Sequence, residues 1–173
     1  MGRSEIGYQV LLAGADTTSS SLGNAVYLLA ANPEQQAKLR ANPGLIPRAV
    51  EEVLRMEPAL HSMGRTTACP VTVSGRSLDE GETVSLNFAA ANRDPAAFPE
   101  PDTFDVTREP NRHLTFGHGI HKCVGAPLAR LELAVVLQEL LGRTSDVRFD
   151  GEPKRGSVVP AAFKSVPIRV TPR

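Results

Sequence analysis

The sequence predicts a mainly α chain with small β-sheets, an α+β architecture. Three observations carry that expectation. Helix-period apolar stretches, punctuated by Asn, Pro and Gly, occupy the first third of the chain and return after Gly125. Short runs of β-forming residues follow Pro58. A stretch rich in Pro and Asp, Asp94 to Arg112, carries neither period.

Taken in order, Glu5 to Ala31 reads as one long helix. Ile6, Val10, Ala13 and Thr17 form one stripe, and Leu22, Val26 and Leu29 continue an apolar face. Its middle holds five successive hydroxyl residues, Thr17 to Ser21. These are indifferent helix formers whose side chains can bond the carbonyl one turn back and loosen the helix. Asn32-Pro33-Glu34 is a helix start, with a capping residue, Pro at the first helical position and then an acid. That helix ends near Ala41, before Asn42-Pro43-Gly44. A third helix runs from about Leu45 to Met56 and stops ahead of Pro58. Val71 to Val73 and Thr83 to Leu86, separated by a turn at Gly75, read as strands. The segment Asp94 to Arg112 reads as an irregular meander. A glycine loop from Phe116 to Gly125 leads into a helix from about Ala126 to Leu141, with Leu128, Leu131, Val135 and Leu141 as its apolar stripe. The tail from Asp146 to Arg173 reads as short strands joined by Pro and Gly turns. Neither an internal repeat nor a dividing linker interrupts residues 1–173, so a single domain is expected.

Composition narrows the function. Lys plus Arg and Asp plus Glu are each 19, so the formal net charge is zero. That gives no expectation of nucleic acid or an anionic membrane surface as partner. Leu, Val, Ile and Phe make up about a quarter of the chain, enough for a packed core. The longest apolar run, Ala25 to Ala31, is seven residues, too short to span a bilayer. Met1 to Glu5 lacks the apolar core of a secretory signal. Two cysteines, Cys69 and Cys123, make no disulfide framework. A cytoplasmic globular domain is the expectation.

Three motifs carry chemistry. The strongest is Phe116-Gly117-His118-Gly119-Ile120-His121-Lys122-Cys123-Val124-Gly125. Its glycines permit a tight loop and close approach of backbone to a flat ligand. Cys123 sits where a helix begins, and the positive helix end favours a thiolate. A thiolate on such a loop is one way to ligate haem iron axially. His113, His118, His121 and Cys123 also leave a zinc reading open, although His-x-x-His-x-Cys is not a usual zinc spacing. The second motif is Glu51-Glu52-Val53-Leu54-Arg55, where Glu52 and Arg55 are i, i+3 and Glu51 and Arg55 are i, i+4. Alone it reads as an exposed helix pair worth a few tenths of a kcal/mol. The third is Ala13-Gly14-Ala15-Asp16-Thr17-Thr18. Small residues in mid-helix make room for a flat cofactor, and an acid–hydroxyl pair beside them can relay protons.

In order and spacing, these three motifs resemble those of the cytochrome P450 family of haem-thiolate monooxygenases, in its soluble bacterial branch. The resemblance runs over nearly the whole chain and implies the following roles. Cys123 is the axial ligand of iron in haem b, iron protoporphyrin IX. Phe116 packs beside the sulfur, and Gly117, Gly119 and Gly125 shape the loop. Arg65 and His121 pair with haem propionates, and Ala13 and Gly14 lie against the cofactor. Asp16 and Thr17 deliver protons to bound dioxygen. Glu52, Arg55 and Arg108 form a buried structural triad. The implied activity is insertion of one atom of dioxygen into a small hydrophobic organic substrate, with electrons from a ferredoxin/reductase-type donor. The alternative is a non-catalytic haem-binding remnant or sensor. The resemblance also implies the C-terminal, haem-binding half of such a fold, from its long central helix onward, with the N-terminal portion and its substrate-covering helices absent.

Overall fold

The computed structural model describes residues 3–158 and 160–173, apart from the side chains of residues 3–6, 9, 10, 157 and 158. The stripe members Ile6 and Val10 therefore lie outside the described side chains. Helix α1, Arg3–Ala31, is continuous for 29 residues, about 44 Å at 1.5 Å per residue. Its hydroxyl run turns inward on its own backbone. Ser20 Oγ donates to the Asp16 carbonyl at 2.7 Å and Ser21 Oγ to the Thr17 carbonyl at 2.9 Å. These bonds let Ser20 and Ser21 be buried without unmet polar groups.

Helix α2, Pro33–Ala41, follows with Pro at its start, as the Asn-Pro-Glu signal predicts. A 3-10 turn at Pro43–Leu45 leads into α3, Ile46–Met56. The second half of α1 supplies Ala25, Leu28 and Leu29 to a core completed by Leu39, by Val50, Val53 and Leu54 of α3, and by Leu133, Leu137 and Leu141 of α5, Ala126–Arg143. Buried glutamines of α2 fasten other segments to this core. Gln36 donates to the carbonyls of Leu29 and Val147, and Gln35 accepts from the Val106 amide.

The α5 stripe differs from its expectation. Leu141 is buried, but Leu128, Leu131 and Val135 are 59%, 60% and 49% exposed, and Leu133 and Leu137 take the core face instead. Apolar residues occur nearly all around this helix, so periodicity alone does not select the packed side.

Among the described residues the β structure is four two-stranded antiparallel sheets. Strands β2, Val71–Val73, and β3, Arg76–Leu78, form a hairpin whose turn residues Ser74 and Gly75 have φ of 49° and 80°. This is the primed-turn geometry that suits strand twist. Strand β4, Thr83–Asn87, pairs with β1, Ser62–Thr66, so the two runs expected as strands on either side of Gly75 sit in different sheets. The short helix α4, Phe88–Ala91, then enters the meander, which from Asn92 to His118 carries neither helix nor strand. Strand β5, Thr144–Phe149, pairs with β8, Ile168–Pro172. Strand β6, Lys154–Val158, pairs with β7, Ala161–Ser165, whose Phe163 stacks on Tyr27 of α1 at 4.2 Å. No helix among the described residues is long and apolar enough to cross a membrane.

Candidate functional site

The loop from Phe116 to Gly125 is shaped by two left-handed glycines. Gly117 has φ of 68° and Gly119 of 63°. A Cβ on Gly117 would also sit 3.0 Å from the His121 carbonyl, so a side chain there meets both strain and collision. Between these glycines and α5 lies a 3-10 turn, Gly119–His121. The loop closes on itself where the Cys123 amide donates to the Phe116 carbonyl at 2.8 Å. Gly125 caps α5, and a Cβ there would lie 3.8 Å from Cys123 Sγ. Cys123 thus precedes the helix cap by two residues, with a free and exposed thiol. Ile120 and Val124 beside it are 97% and 92% exposed, leaving the loop an apolar open face.

Among the described residues, no three of His, Cys, Asp and Glu gather into a group that could hold a metal ion. The clustered histidines diverge. His113 turns to Glu51, with Nε2 and Oε2 3.1 Å apart, while His118 and His121 are exposed.

Glu52, Arg55 and Arg108 come together. Arg55 donates from Nε and Nη2 to the two oxygens of Glu52, both at 2.8 Å, and both side chains are fully buried. Arg108 Nε reaches each Glu52 oxygen at 3.1 Å. Asn111, which the sequence reading did not single out, donates to the same carboxylate at 2.9 Å. Arg55 also donates to the carbonyls of Asn92, Pro101 and Thr103, and Arg108 to those of Pro99, Glu100 and Thr103. The exposed i, i+3 pair that the motif suggests in isolation is therefore a buried anchor, from which the meander's carbonyls hang.

Glu51 does not pair with Arg55. It accepts from Arg130 Nε at 2.6 Å and Nη2 at 2.9 Å, and holds His113 on its other side. Burial works against its charge. The hydrogen bonds from His113 and Arg130, with the charge of Arg130, outweigh that and bring its pKa down to about 2. Arg130 was not singled out by motif, and His113 was named only as a zinc candidate, not as a partner of Glu51. Their signal lies in three-dimensional pairing with a residue 79 and 62 positions away.

The α1 motif and Arg65 stand apart from the loop, and no hydrogen bond or ion pair among the described residues joins them to it. Ala13, Gly14 and Asp16 are exposed, and a Cβ on Gly14 would meet nothing within 4 Å. Thr17 Oγ1 donates to the Ala13 carbonyl at 2.6 Å. Arg65, on β1, is half-buried and donates to the Gly64 carbonyl at 2.8 Å, with no ion pair among the described residues.

Comparison with known proteins bears on this arrangement. The family model for Cytochrome P450 matches residues 6–43 and 44–158. Cytochrome P450-terp of a Pseudomonas species is 43% identical over 166 residues, covering 94% of this chain and 38% of the relative. Cytochrome P450 107B1 of Saccharopolyspora erythraea is 44% identical over 167 residues, covering 94% and 41%. The crystal structure of CYP109E1 from Bacillus megaterium in complex with corticosterone superposes with a TM-score of 0.92 at 35% identity, over 98% of this chain and 47% of that one. The chain spans about two-fifths of the length of these curated relatives. With the family model matching across the long helix, the buried Glu52–Arg55 anchor and the Cys123 loop, the chain belongs to the cytochrome P450 family.

Proposed function

We propose that this chain carries the haem-binding and proton-delivering parts of a haem-thiolate monooxygenase. The reaction is insertion of one atom of dioxygen into a small hydrophobic organic substrate, with electrons from a ferredoxin/reductase-type donor. Family members hold haem b through a cysteine thiolate. The residues here suit that group. Cys123 offers a free, exposed sulfur on a loop turned by two left-handed glycines, with Gly125 placing no side chain beside the sulfur. This single observation carries the reading. Arg65, without an ion-pair partner among the described residues, and the exposed His121 have the charge and donors to hold propionates. The exposed, small Ala13 and Gly14 leave α1 flat enough to approach a planar ring.

Haem, when bound, would supply the dioxygen chemistry, and Cys123 is the residue that would hold its iron. The chain's own work is positioning and proton handling. Thr17 directs its hydroxyl proton at the Ala13 carbonyl, so its lone pairs are free to accept a hydrogen bond from a water that carries the proton. Asp16, exposed one residue earlier, is the carboxylate that exchanges protons with solvent.

The test is the absorption spectrum of the chain expressed with haem supply, reduced and exposed to carbon monoxide. A strongly red-shifted Soret band is expected, lost in Cys123→Ala and kept in Cys69→Ala, the other exposed cysteine. A band unchanged in Cys123→Ala would overturn the assignment.

A further inference from the structure

Consecutive glutamates on α3 face different parts of the molecule. Glu52 holds the meander, whereas Glu51 faces the cysteine loop through two intermediaries. Arg130, gripped by both Glu51 oxygens, places its guanidinium 4.6 Å from the centre of the Phe116 ring. His113, held on Glu51 by Nε2, tilts against the same ring at 5.9 Å. Its other nitrogen, Nδ1, accepts the Thr115 amide at 3.2 Å, which leaves the ring proton on Nε2, directed at Glu51. The His113 side chain is 2% exposed and that of Glu51 26%, so this contact is shielded from water on one side. Phe116, thus bracketed by a cation and an imidazole, packs partly buried against the core. Its carbonyl receives the Cys123 amide.

We propose that Glu51 is a positioning residue for the cysteine loop: by holding Arg130 and His113 against Phe116, it fixes the peptide that carries the Cys123 amide and thereby the direction of the sulfur. The significance for iron ligation rests on the function proposed above; the clamp itself does not. A second anchor allows the effect to be isolated. The Leu114 amide, two residues before Phe116, donates to Asn92 Oδ1 at 2.7 Å, and Thr115 Oγ1 donates to the Leu54 carbonyl at 2.7 Å. Neither bond passes through Glu51.

Amide hydrogen exchange in the haem-free chain tests the clamp directly. In Glu51→Gln the Cys123 amide is expected to exchange about tenfold faster, while the Leu114 amide stays within about twofold. Arg130→Gln should reproduce part of the effect, since His113 stays on Glu51, and the double variant should exchange no faster than Glu51→Gln alone, because the Arg130 contact is already released there. Glu51→Asp, which keeps the charge, should restore part of the protection. Unchanged exchange at Cys123 in Glu51→Gln, equal acceleration at Leu114, or full additivity of the two substitutions would each overturn the proposal. In the haem-loaded chain, Glu51→Gln should convert part of the red-shifted carbon monoxide band to the unshifted one. A chain that binds no haem would overturn the function proposed above and leave amide exchange to decide the role of Glu51.

Discussion

At Glu51 a single carboxylate receives three donated hydrogen bonds, and this makes it acid-sensitive. Its pKa in the folded chain, about 2, lies below the ordinary 4.5. A carboxylate depressed in this way contributes stability that is fully present above the ordinary value and is lost as pH falls toward the folded one. The urea midpoint of the unmodified chain should therefore fall more steeply than that of Glu51→Gln between about pH 6 and about pH 3. Asp105 is also lowered, since hydrogen bonds from Thr107 and the charges of Lys38 and Arg108 outweigh its burial, but it titrates in both proteins and cancels in the comparison. Parallel midpoints would show that Glu51 draws no stability from its partners. Local spacing alone does not show which neighbour each glutamate meets; the family resemblance named Arg55 and Arg108 for Glu52, and nothing in the sequence pointed from Glu51 to Arg130. Residues 51 and 52 point about 100° apart on a helix, and local spacing offers Arg55 to either. Only the folded positions of Arg108 and Arg130 separate them. The Cys123 loop was legible because its glycines encode backbone angles that few other residues adopt.

Helix α5 shows at the scale of an element what pattern reading misses. Leu133, Leu137 and Leu141 repeat every four residues toward the core, while Leu128, Leu131 and Val135 repeat nearly as well on the exposed side. Both sets satisfy the helical period, so the choice is made by what α1 and α3 present. Leu137→Ala should then cost about 2–5 kcal/mol, and Leu131→Ala should stay within about 0.5 kcal/mol, in urea unfolding. Similar losses at both positions would mean that the second face is also packed. The helix start at Pro33 was legible from Asn-Pro-Glu, because Pro is favoured at a helix's first turn, and the start at Ala126 from the glycine loop that leads into it. Strand β1 was not, since Ser62-Met-Gly-Arg-Thr holds one β-branched residue and is a strand through its partner β4. The meander depends on α3 in another way. Its carbonyls are held by Arg55 and Arg108, both of which pair with the Glu52 carboxylate. Glu52→Ala leaves Arg55 buried and uncompensated and should cost about 3–5 kcal/mol. A loss below about 1 kcal/mol, the range of exposed pairs, would contradict the burial.

For the whole molecule, the balance between core and surface has a consequence for its solution state. The core is built on the second half of α1, leaving Leu11 and Leu12 in its first half 72% and 52% exposed. With Leu128, Leu131, Val135 and Val136 of α5, the two longest helices both present apolar side chains to water. Monomeric proteins rarely expose large apolar patches, and two copies can remove such surface from water by joining these helices. The chain on its own should therefore sediment above its 18.5 kDa monomer mass, increasingly so with concentration. Replacing Leu11, Leu12, Leu128 and Leu131 together by Ser should return it toward the monomer. The helical signal should be retained, because none of the four belongs to the buried core. A chain that stays monomeric at every concentration would show that these side chains are too scattered to act as one surface. Association that persists in the fourfold variant would place the contact elsewhere, with the short, exposed strands β2 and β3 as the next edge to block.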